Sequence, residues 1–176
     1  MGGSSGDQYP ERERAGSTLS AYLVTWRCYG TWLHGDPRGS VDRLHNAHDS
    51  PFLAENVERE ARERQKLTAR PVTLDAPARA VVDATIREVC DHRSWALFAH
   101  QARPSHVHVV VAAGVRPERI MTDLKAWCTR RLVEHGLAGK GDRIWSYHGS
   151  TVYLWDEVQI ERACRYVLEG QDVPPR

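Results

Sequence analysis

"WALFAHQARPSHVHVVVAAG", residues 95–114, is the stretch that predicts the centre of the fold. Residues 95–102 and 106–114 are apolar runs of strand length, and the segment "RPS" between them is typical of a tight connection. The stretch therefore predicts two antiparallel strands joined as a hairpin.

The second predicted strand carries two histidines, His106 and His108. Because side chains alternate between the faces of a strand, the two imidazoles share one face and the valines at 107, 109 and 111 share the other. The valine face is expected to pack under a helix. The histidine face is expected to be the exposed side of the sheet or the floor of a cleft.

Working outward from the hairpin, hydrophobic periodicity predicts the order strand, long insert, helix, hairpin, helix, strand, helix. The predicted elements are a strand at 20–28, helices at 77–92 and about 117–135, a strand within 146–155, and a helix at 156–170. This order is close to the split βαβ pattern, so the predicted fold class is α+β, with a ferredoxin-like antiparallel sheet and helices on one face. One domain is expected over 18–176, after a disordered leader at 1–17. An inserted segment at about 42–70 includes the charge run "ENVEREARERQK", expected to be an exposed helix or a mobile excursion.

Charge, apolar runs and cysteine spacing exclude several classes of protein but do not identify the function. The 176 residues carry a formal net charge of +1, so any basic surface for nucleic acid has to come from local clustering. No run approaches the roughly 18 apolar residues of a membrane span, and the N-terminus lacks the apolar region of a signal peptide. The four cysteines form no CxxC pair, which excludes a zinc ribbon and predicts reduced, intracellular and mostly buried thiols.

The histidine pair has the spacing of a metal site. Two imidazoles on one strand face can ligate a single metal ion when a third ligand comes from elsewhere in the chain. The alternative is two surface histidines on an open sheet face, and an HxH motif alone favours that alternative. The preceding turn and the following valines place this pair at the start of a central strand, which favours the functional interpretation.

Tyr166 lies on the last predicted helix, at the rim of an apolar side formed by residues such as Ala163 and Val167. Helix position alone favours an amphipathic anchor with a packed ring and a solvated hydroxyl. Because the pKa of a tyrosine is about 10, its hydroxyl is a weak nucleophile near neutral pH. It becomes useful where a metal polarises the electrophile or a base takes the proton, which links Tyr166 to the histidine pair.

Taken together, these motifs resemble those of the single-tyrosine HUH transposases, including the REP-associated tyrosine transposases. "HVHVVV", "IWSYHGSTVYL" and "ERACRYVLEGQ" stand in that family's order, and the resemblance covers residues 20–29 and 75–171. The segment "YGTWLHGDPRGSVDR" also resembles a loop of the REP-associated branch. HxH alone is a weak signal, and HxH followed by a late "RYVLEGQ" helix is a fairly specific one.

The resemblance implies a metal-dependent enzyme that nicks and rejoins single-stranded DNA beside an imperfect hairpin. In that reading Tyr166 attacks a phosphodiester to form a 5′-phosphotyrosine link, while His106 and His108 hold Mg²⁺ or Mn²⁺. It also implies a cytoplasmic, nucleoid-associated bacterial protein that acts as a monomer or a homodimer, with no membrane partner.

The third metal ligand departs from the family pattern. In several of these enzymes a Gln or Asn stands four residues after the tyrosine, where this chain has Gly170. Glu169 is the preferred substitute, because it lies nearer the Tyr166 side of an unbroken helix and a carboxylate suits Mg²⁺ or Mn²⁺. Gln171 is the rival, if the glycine lets the helix end unwind.

DNA contacts are expected mainly from the second long helix and the loop that follows it. The basic candidates are Lys125, Arg130, Arg131, Lys140 and Arg143. Trp145 and Tyr147, predicted in a loop, are candidates for stacking on bases, and Arg38 and Arg43 form a possible second surface. For each of these residues the alternative is a solvated charge or a packed ring.

Two rival functions remain open from the sequence. The first is a non-catalytic nucleic-acid-binding module or a decayed transposase, although the "HVHVVV" strand lacks the aromatics of the usual RNA-binding sheet. The second is a metal-dependent nuclease that uses bound water, which would need the histidines but not Tyr166.

Overall fold

A computed structural model describes residues 20–33 and 56–169 of the chain. The expected leader, Arg38, Arg43, Gly170 and Gln171 lie outside the described residues. The elements in chain order are β1 Ser20–Cys28, α1 Val57–Gln65, α2 Ala76–Arg93, β2 Ala96–Ala102, β3 His106–Ala113, α3 Pro117–Glu134, β4 Trp145–Leu154 and α4 Glu157–Leu168.

The four strands form one antiparallel sheet in the order β2-β3-β1-β4. The predicted hairpin is confirmed as β2 and β3, and β3 lies between β2 and β1 in the interior of the sheet. The α+β class with a ferredoxin-like antiparallel sheet is therefore confirmed. The register pairs His106 with Arg27 and His108 with Thr25 on β1, and it pairs His108 with Gln101 on β2.

Helices α2 and α3 cover the valine face of the sheet. Val107, Val109 and Val111 are fully buried there, in one cluster with α2 residues such as Ile86 and α3 residues such as Leu124. Burying an aliphatic side chain of this size contributes roughly 1.5–3 kcal/mol, so this layer is the main core. The predicted packing of the valines under a helix is confirmed.

Helix α4 packs on the opposite face, which corrects the expectation that all helices lie on one face. Ala163 and Val167 of α4 form a second buried cluster with Leu23 of β1, Ala99 of β2 and Val110 of β3. The reason lies in the continuous valine run of β3, which places apolar side chains on both faces, so that both faces require cover.

Polar caps fix where α2 and α4 begin. The Asp75 side chain accepts a hydrogen bond from the Ala78 amide at 2.9 Å, and Asp156 accepts one from the Gln159 amide at 2.7 Å. Gln159 in turn accepts from the Trp155 amide at 2.8 Å. Such caps satisfy helix amides that have no partner within the helix.

Part of the expected insert forms α1, whose residues are all at least partly exposed. Its charges pair along the helix, with Arg64 and Glu60 at 2.5 Å and Lys66 and Glu63 at 2.7 Å. The exposed-helix interpretation of the charge run therefore applies. Over the described ranges, no helix is both long and apolar enough to cross a membrane.

The four cysteines are free thiols, and Cys28, Cys90 and Cys128 are buried, as predicted. Burial raises the pKa of the Cys28 and Cys90 thiols to about 12, so neither is a thiolate near neutral pH.

Candidate active site

The two histidines of β3 lie side by side on the face covered by α4. Their ring centroids are 4.6 Å apart and the rings are nearly perpendicular. The His108 Nδ1 lies 2.8 Å from the Thr25 hydroxyl, and the His106 Nδ1 lies 3.0 Å from the Ser105 hydroxyl. Each ring is thus held by a hydroxyl at Nδ1, and in the tautomer with a proton on Nδ1 the lone pair is on Nε2.

Helix α4 brings Tyr166 to this pair. The Tyr166 ring stands edge-on to the His108 ring, with the centroids 5.3 Å apart. The tyrosine is half-buried and packs against the cluster that holds α4 on the sheet. The structure therefore brings together the three residues His106, His108 and Tyr166, although they come from two elements far apart in sequence.

The site keeps His108 neutral. His108 is only 8% exposed, and burial lowers the pKa of its imidazole to about 3, with further lowering by His106, Arg103 and Arg27. A neutral imidazole is the form that can bind a metal ion or accept a hydrogen bond. Although the histidine face was expected to be open or a cleft floor, His108 is buried beneath α4.

Two arginines that the sequence analysis did not select belong to the same face. Arg27 pairs with His106 across β1 and β3, and the Arg103 amide donates to the His106 carbonyl at 2.7 Å. Both guanidinium groups are close enough to lower the pKa of His108. Guanidinium groups bind phosphate oxygens well, so the face combines two imidazoles, a phenol and two cations.

A sequence signal for these arginines exists. Thr25 and Arg27 on β1 are polar residues two apart, and so are Gln101 on β2 and Arg103 just after it. Two-residue spacing keeps a pair on one face, but only the strand register shows that both pairs flank the histidines.

The expected third ligand is not gathered with the histidines. Glu169 is exposed at the end of α4, where its amide donates to the Arg165 carbonyl at 2.8 Å. Across residues 20–33 and 56–169, no three side chains of the His, Cys, Asp or Glu types are grouped so that they could hold a metal. The rival, Gln171, is outside the described residues.

Two residues expected to contact DNA, Lys125 and Trp145, make hydrogen bonds within the fold. Trp145 is buried at the start of β4, and its indole donates hydrogen bonds to the Lys125 carbonyl at 3.2 Å and the Thr129 hydroxyl at 3.0 Å. The prediction of a base-stacking loop residue is therefore wrong for Trp145, because its ring packs edge-on against Trp26 in the core. The Lys125 ammonium donates to the Ser146 carbonyl at 2.9 Å and to two carbonyls after it, and burial lowers its pKa.

Arg130 and Arg131 lie on α3, in the helical layer across the sheet from the histidines, and Lys140 and Arg143 lie between α3 and β4. Arg131 pairs with Glu88 and with Glu134. The Arg130 guanidinium lies over the Trp127 ring at 4.7 Å, and that of Arg143 lies over the Tyr29 ring at 4.7 Å. Lys140 is exposed.

Exposed aromatics lie along β4 and just beyond it. Tyr147 is 82% exposed, on the strand where a loop was predicted. Trp155 is 76% exposed and stacks on Tyr153, with centroids 5.3 Å apart. Trp155, and not Trp145, is the exposed tryptophan of this region; the composition around the two does not show which one the sheet buries.

Neither a protein-family model nor a curated protein matches the chain. Among solved structures, the chain is similar to a REP-associated tyrosine transposase bound to a REP hairpin, with 10% identity and a TM-score of 0.48 over 90% of this chain and 70% of that one. It is also similar to a "putative transposase" from Deinococcus radiodurans, with 11% identity and a TM-score of 0.47 over 92% of this chain and 98% of that one.

Proposed function

We propose that this protein is a single-tyrosine transposase of the HUH type. It nicks single-stranded DNA beside a hairpin and transfers the strand through a 5′-phosphotyrosine intermediate. The observation that carries the proposal is the edge-on contact of Tyr166 with His108, at 5.3 Å between ring centroids. A phenol beside the neutral His108 and a second imidazole, flanked by two guanidinium groups, suits attack on a phosphodiester.

The histidines fit a divalent metal. A metal-binding imidazole is commonly held through its other nitrogen by a hydrogen bond, and both Nδ1 atoms lie next to hydroxyls here. Mg²⁺ or Mn²⁺ held by His106 and His108 would polarise the scissile phosphate.

The remaining chemistry belongs to the chain's own side chains. The Tyr166 oxygen forms a bond to phosphorus, the phenol proton is released, and the departing 3′-oxygen takes up a proton. Arg27 and Arg103 neutralise the phosphate oxygens during attack. Because one phosphodiester replaces another, a second 3′-hydroxyl can reverse the step and rejoin strands without an external energy source.

His106, His108 and Tyr166 lie together within one chain, and the proposal is compatible with both a monomer and a homodimer. Tyr147 and Trp155 stack on unpaired bases beside the hairpin. A transposase of this kind works in the bacterial cytoplasm on nucleoid DNA.

A second candidate function is DNA binding without cleavage, as in a decayed transposase. The observation in its favour is the absence, across residues 20–33 and 56–169, of a third His, Cys, Asp or Glu grouped with the histidine pair.

The test is incubation of the protein with hairpin single-stranded DNA of randomised stem sequence and Mn²⁺. We expect a covalent adduct that survives denaturant and maps to Tyr166. Tyr166→Phe should abolish the adduct and keep DNA binding, while the matched control Tyr22→Phe, in the main core on the other face of the sheet, should keep the adduct. Cleavage that persists in Tyr166→Phe would instead identify a nuclease using bound water, and a parent protein that binds without cleaving would identify the binding module.

A further inference from the structure

Gln101 of β2 holds a buried polar atom that the fold leaves without a partner. Its side-chain oxygen Oε1 is inaccessible to solvent and accepts no hydrogen bond from any described residue. A buried amide oxygen normally has a hydrogen-bond donor, because losing its contacts with water is otherwise uncompensated. An orphan acceptor of this kind points to a group that completes the site.

The strand register places Gln101 at the histidine pair. Gln101 and His108 are direct cross-strand neighbours in the antiparallel pairing of β2 with β3. Side chains of directly opposed residues stand on the same face, and Ala99, two residues earlier on β2, packs on that face under α4. Gln101 therefore shares the covered face with His108 and Tyr166.

A second orphan atom supports the same interpretation. Nη2 of Arg103, two residues after Gln101, is also buried without a hydrogen-bond partner among the described residues. One orphan is an acceptor, suited to a cation, and the other is a donor, suited to an anion. A divalent ion carrying a phosphate group would satisfy both atoms, and the neighbouring His106 and His108 offer imidazole nitrogens as further ligands for such an ion.

From these observations we infer that the Gln101 amide oxygen is the third protein ligand of the metal held by His106 and His108. The inference rests on the proposed function. It places the third ligand on β2, whereas the sequence predicted Glu169 or Gln171 at the end of α4. Amide oxygens are suitable ligands for Mg²⁺ and Mn²⁺. Glu169, by contrast, is exposed and is not grouped with the histidines.

The experiment measures Mn²⁺ binding directly, by the loss of the free-ion electron paramagnetic resonance signal, on the full chain without DNA. Gln101→Met keeps the side-chain shape and removes the donor oxygen. It should weaken Mn²⁺ binding by roughly tenfold or more, the scale at which metal sites respond to altered surroundings. Gln101→Glu should retain binding, because it keeps an oxygen in place.

Three controls isolate the effect. Gln65→Met changes an exposed glutamine of α1 and should bind Mn²⁺ like the parent. Glu169→Gln and Gln171→Ala should also bind like the parent. The metal-free melting temperature of Gln101→Met should not fall, because the substitution removes an unpaired buried polar atom, so weaker binding would not reflect misfolding.

Mn²⁺ binding that is unchanged in Gln101→Met and lost in His108→Ala would overturn the assignment of Gln101 and leave the proposed function standing. Loss of binding in Glu169→Gln or Gln171→Ala alone would overturn it in favour of α4 or the residues after it. Equal binding by the parent and His108→Ala would overturn the metal site itself. The Tyr166 adduct assay, run separately with hairpin DNA, decides whether the proposed function fails as well.

Discussion

At the scale of single residues, burial decides what each polar side chain of the site can do. His108 and Thr25 share a hydrogen bond of 2.8 Å in a region where water has little access. The desolvated imidazole stays neutral at pH values where a surface histidine would titrate. The burial of His108 therefore also makes the stability of the protein depend on pH.

The pKa of His108 predicts acid sensitivity in the metal-free protein. Its folded pKa is about 3, against an ordinary value of 6.5, so the unfolded chain binds the proton more readily. The neutral His108 therefore contributes fully to the free energy of unfolding above pH 6.5, and this contribution is lost as the pH falls toward 3. Urea unfolding should show a loss of about 2 kcal/mol between pH 6.5 and pH 5 from this residue.

His108→Asn removes the titrating group and should flatten that part of the pH profile, whatever its effect on stability at pH 7. A profile in the variant that is as steep as in the parent would show that other groups cause the acid sensitivity.

Substitutions at Trp145 and Tyr147 should have opposite effects on stability and DNA binding, although the two residues are only two positions apart. Trp145→Phe removes two indole hydrogen bonds in the core and should lower the free energy of unfolding by roughly 1–3 kcal/mol. Tyr147→Ala changes a side chain that is 82% exposed. It should leave stability within about 0.5 kcal/mol and weaken DNA binding by roughly 1–3 kcal/mol.

Chemical denaturation and a hairpin-binding titration would separate these two effects. A stable Trp145→Phe variant with impaired DNA binding would reverse the roles assigned to the two residues.

At the scale of elements, α4 is the part that completes the site. The helix has a capped start at Asp156 and buries only two of its residues, Ala163 and Val167. Its hold on the sheet is therefore modest, and yet it carries Tyr166, the residue directly before Val167. Positioning of the tyrosine depends on a small apolar contact with Leu23, Ala99 and Val110.

Val167→Ala should expose this dependence. Val167 is fully buried, so the substitution should cost roughly 1–3 kcal/mol of stability and slow formation of the Tyr166 adduct. Val158→Ala, on the same helix but at a position that is 55% exposed, is the matched control. If both variants formed the adduct at the parental rate, Tyr166 would be positioned by something other than the packing of α4.

At the scale of the whole molecule, the sheet separates two surfaces. One layer, α2 with α3, contains the main core and the paired charges of Arg131. The other face holds the histidines, Tyr166 and the two arginines near His108. With a net charge of +1, the molecule has no strong overall field, so attraction to DNA has to come from a few local cations.

The salt dependence of hairpin binding should identify those cations. Arg103→Gln removes a guanidinium beside the histidines and should reduce the slope of log affinity against log salt by about 1. Arg131→Gln removes one that already pairs with Glu88 and Glu134 and should leave the slope unchanged. A reduction in Arg131→Gln and none in Arg103→Gln would place the DNA on the α2 and α3 layer.

The sequence by itself determined the elements, the hairpin and the pair of histidines on one strand face. These features depend on neighbours along the chain: alternation in "HVHVVV", the cap at Asp156 and the helical spacing of α2 and α3 are all local. The placement of Tyr166 on the rim of α4 was local as well, since it needed only the helical wheel.

Only the tertiary structure decided which face α4 covers, and with it which residues meet. Pairing across strands set Gln101 and Thr25 beside His108 and brought Arg27 opposite His106. The packing of distant elements buried Trp145 and left Trp155 exposed. No local pattern contains such information, because strand register and layer packing are chosen by contacts between residues far apart in the chain.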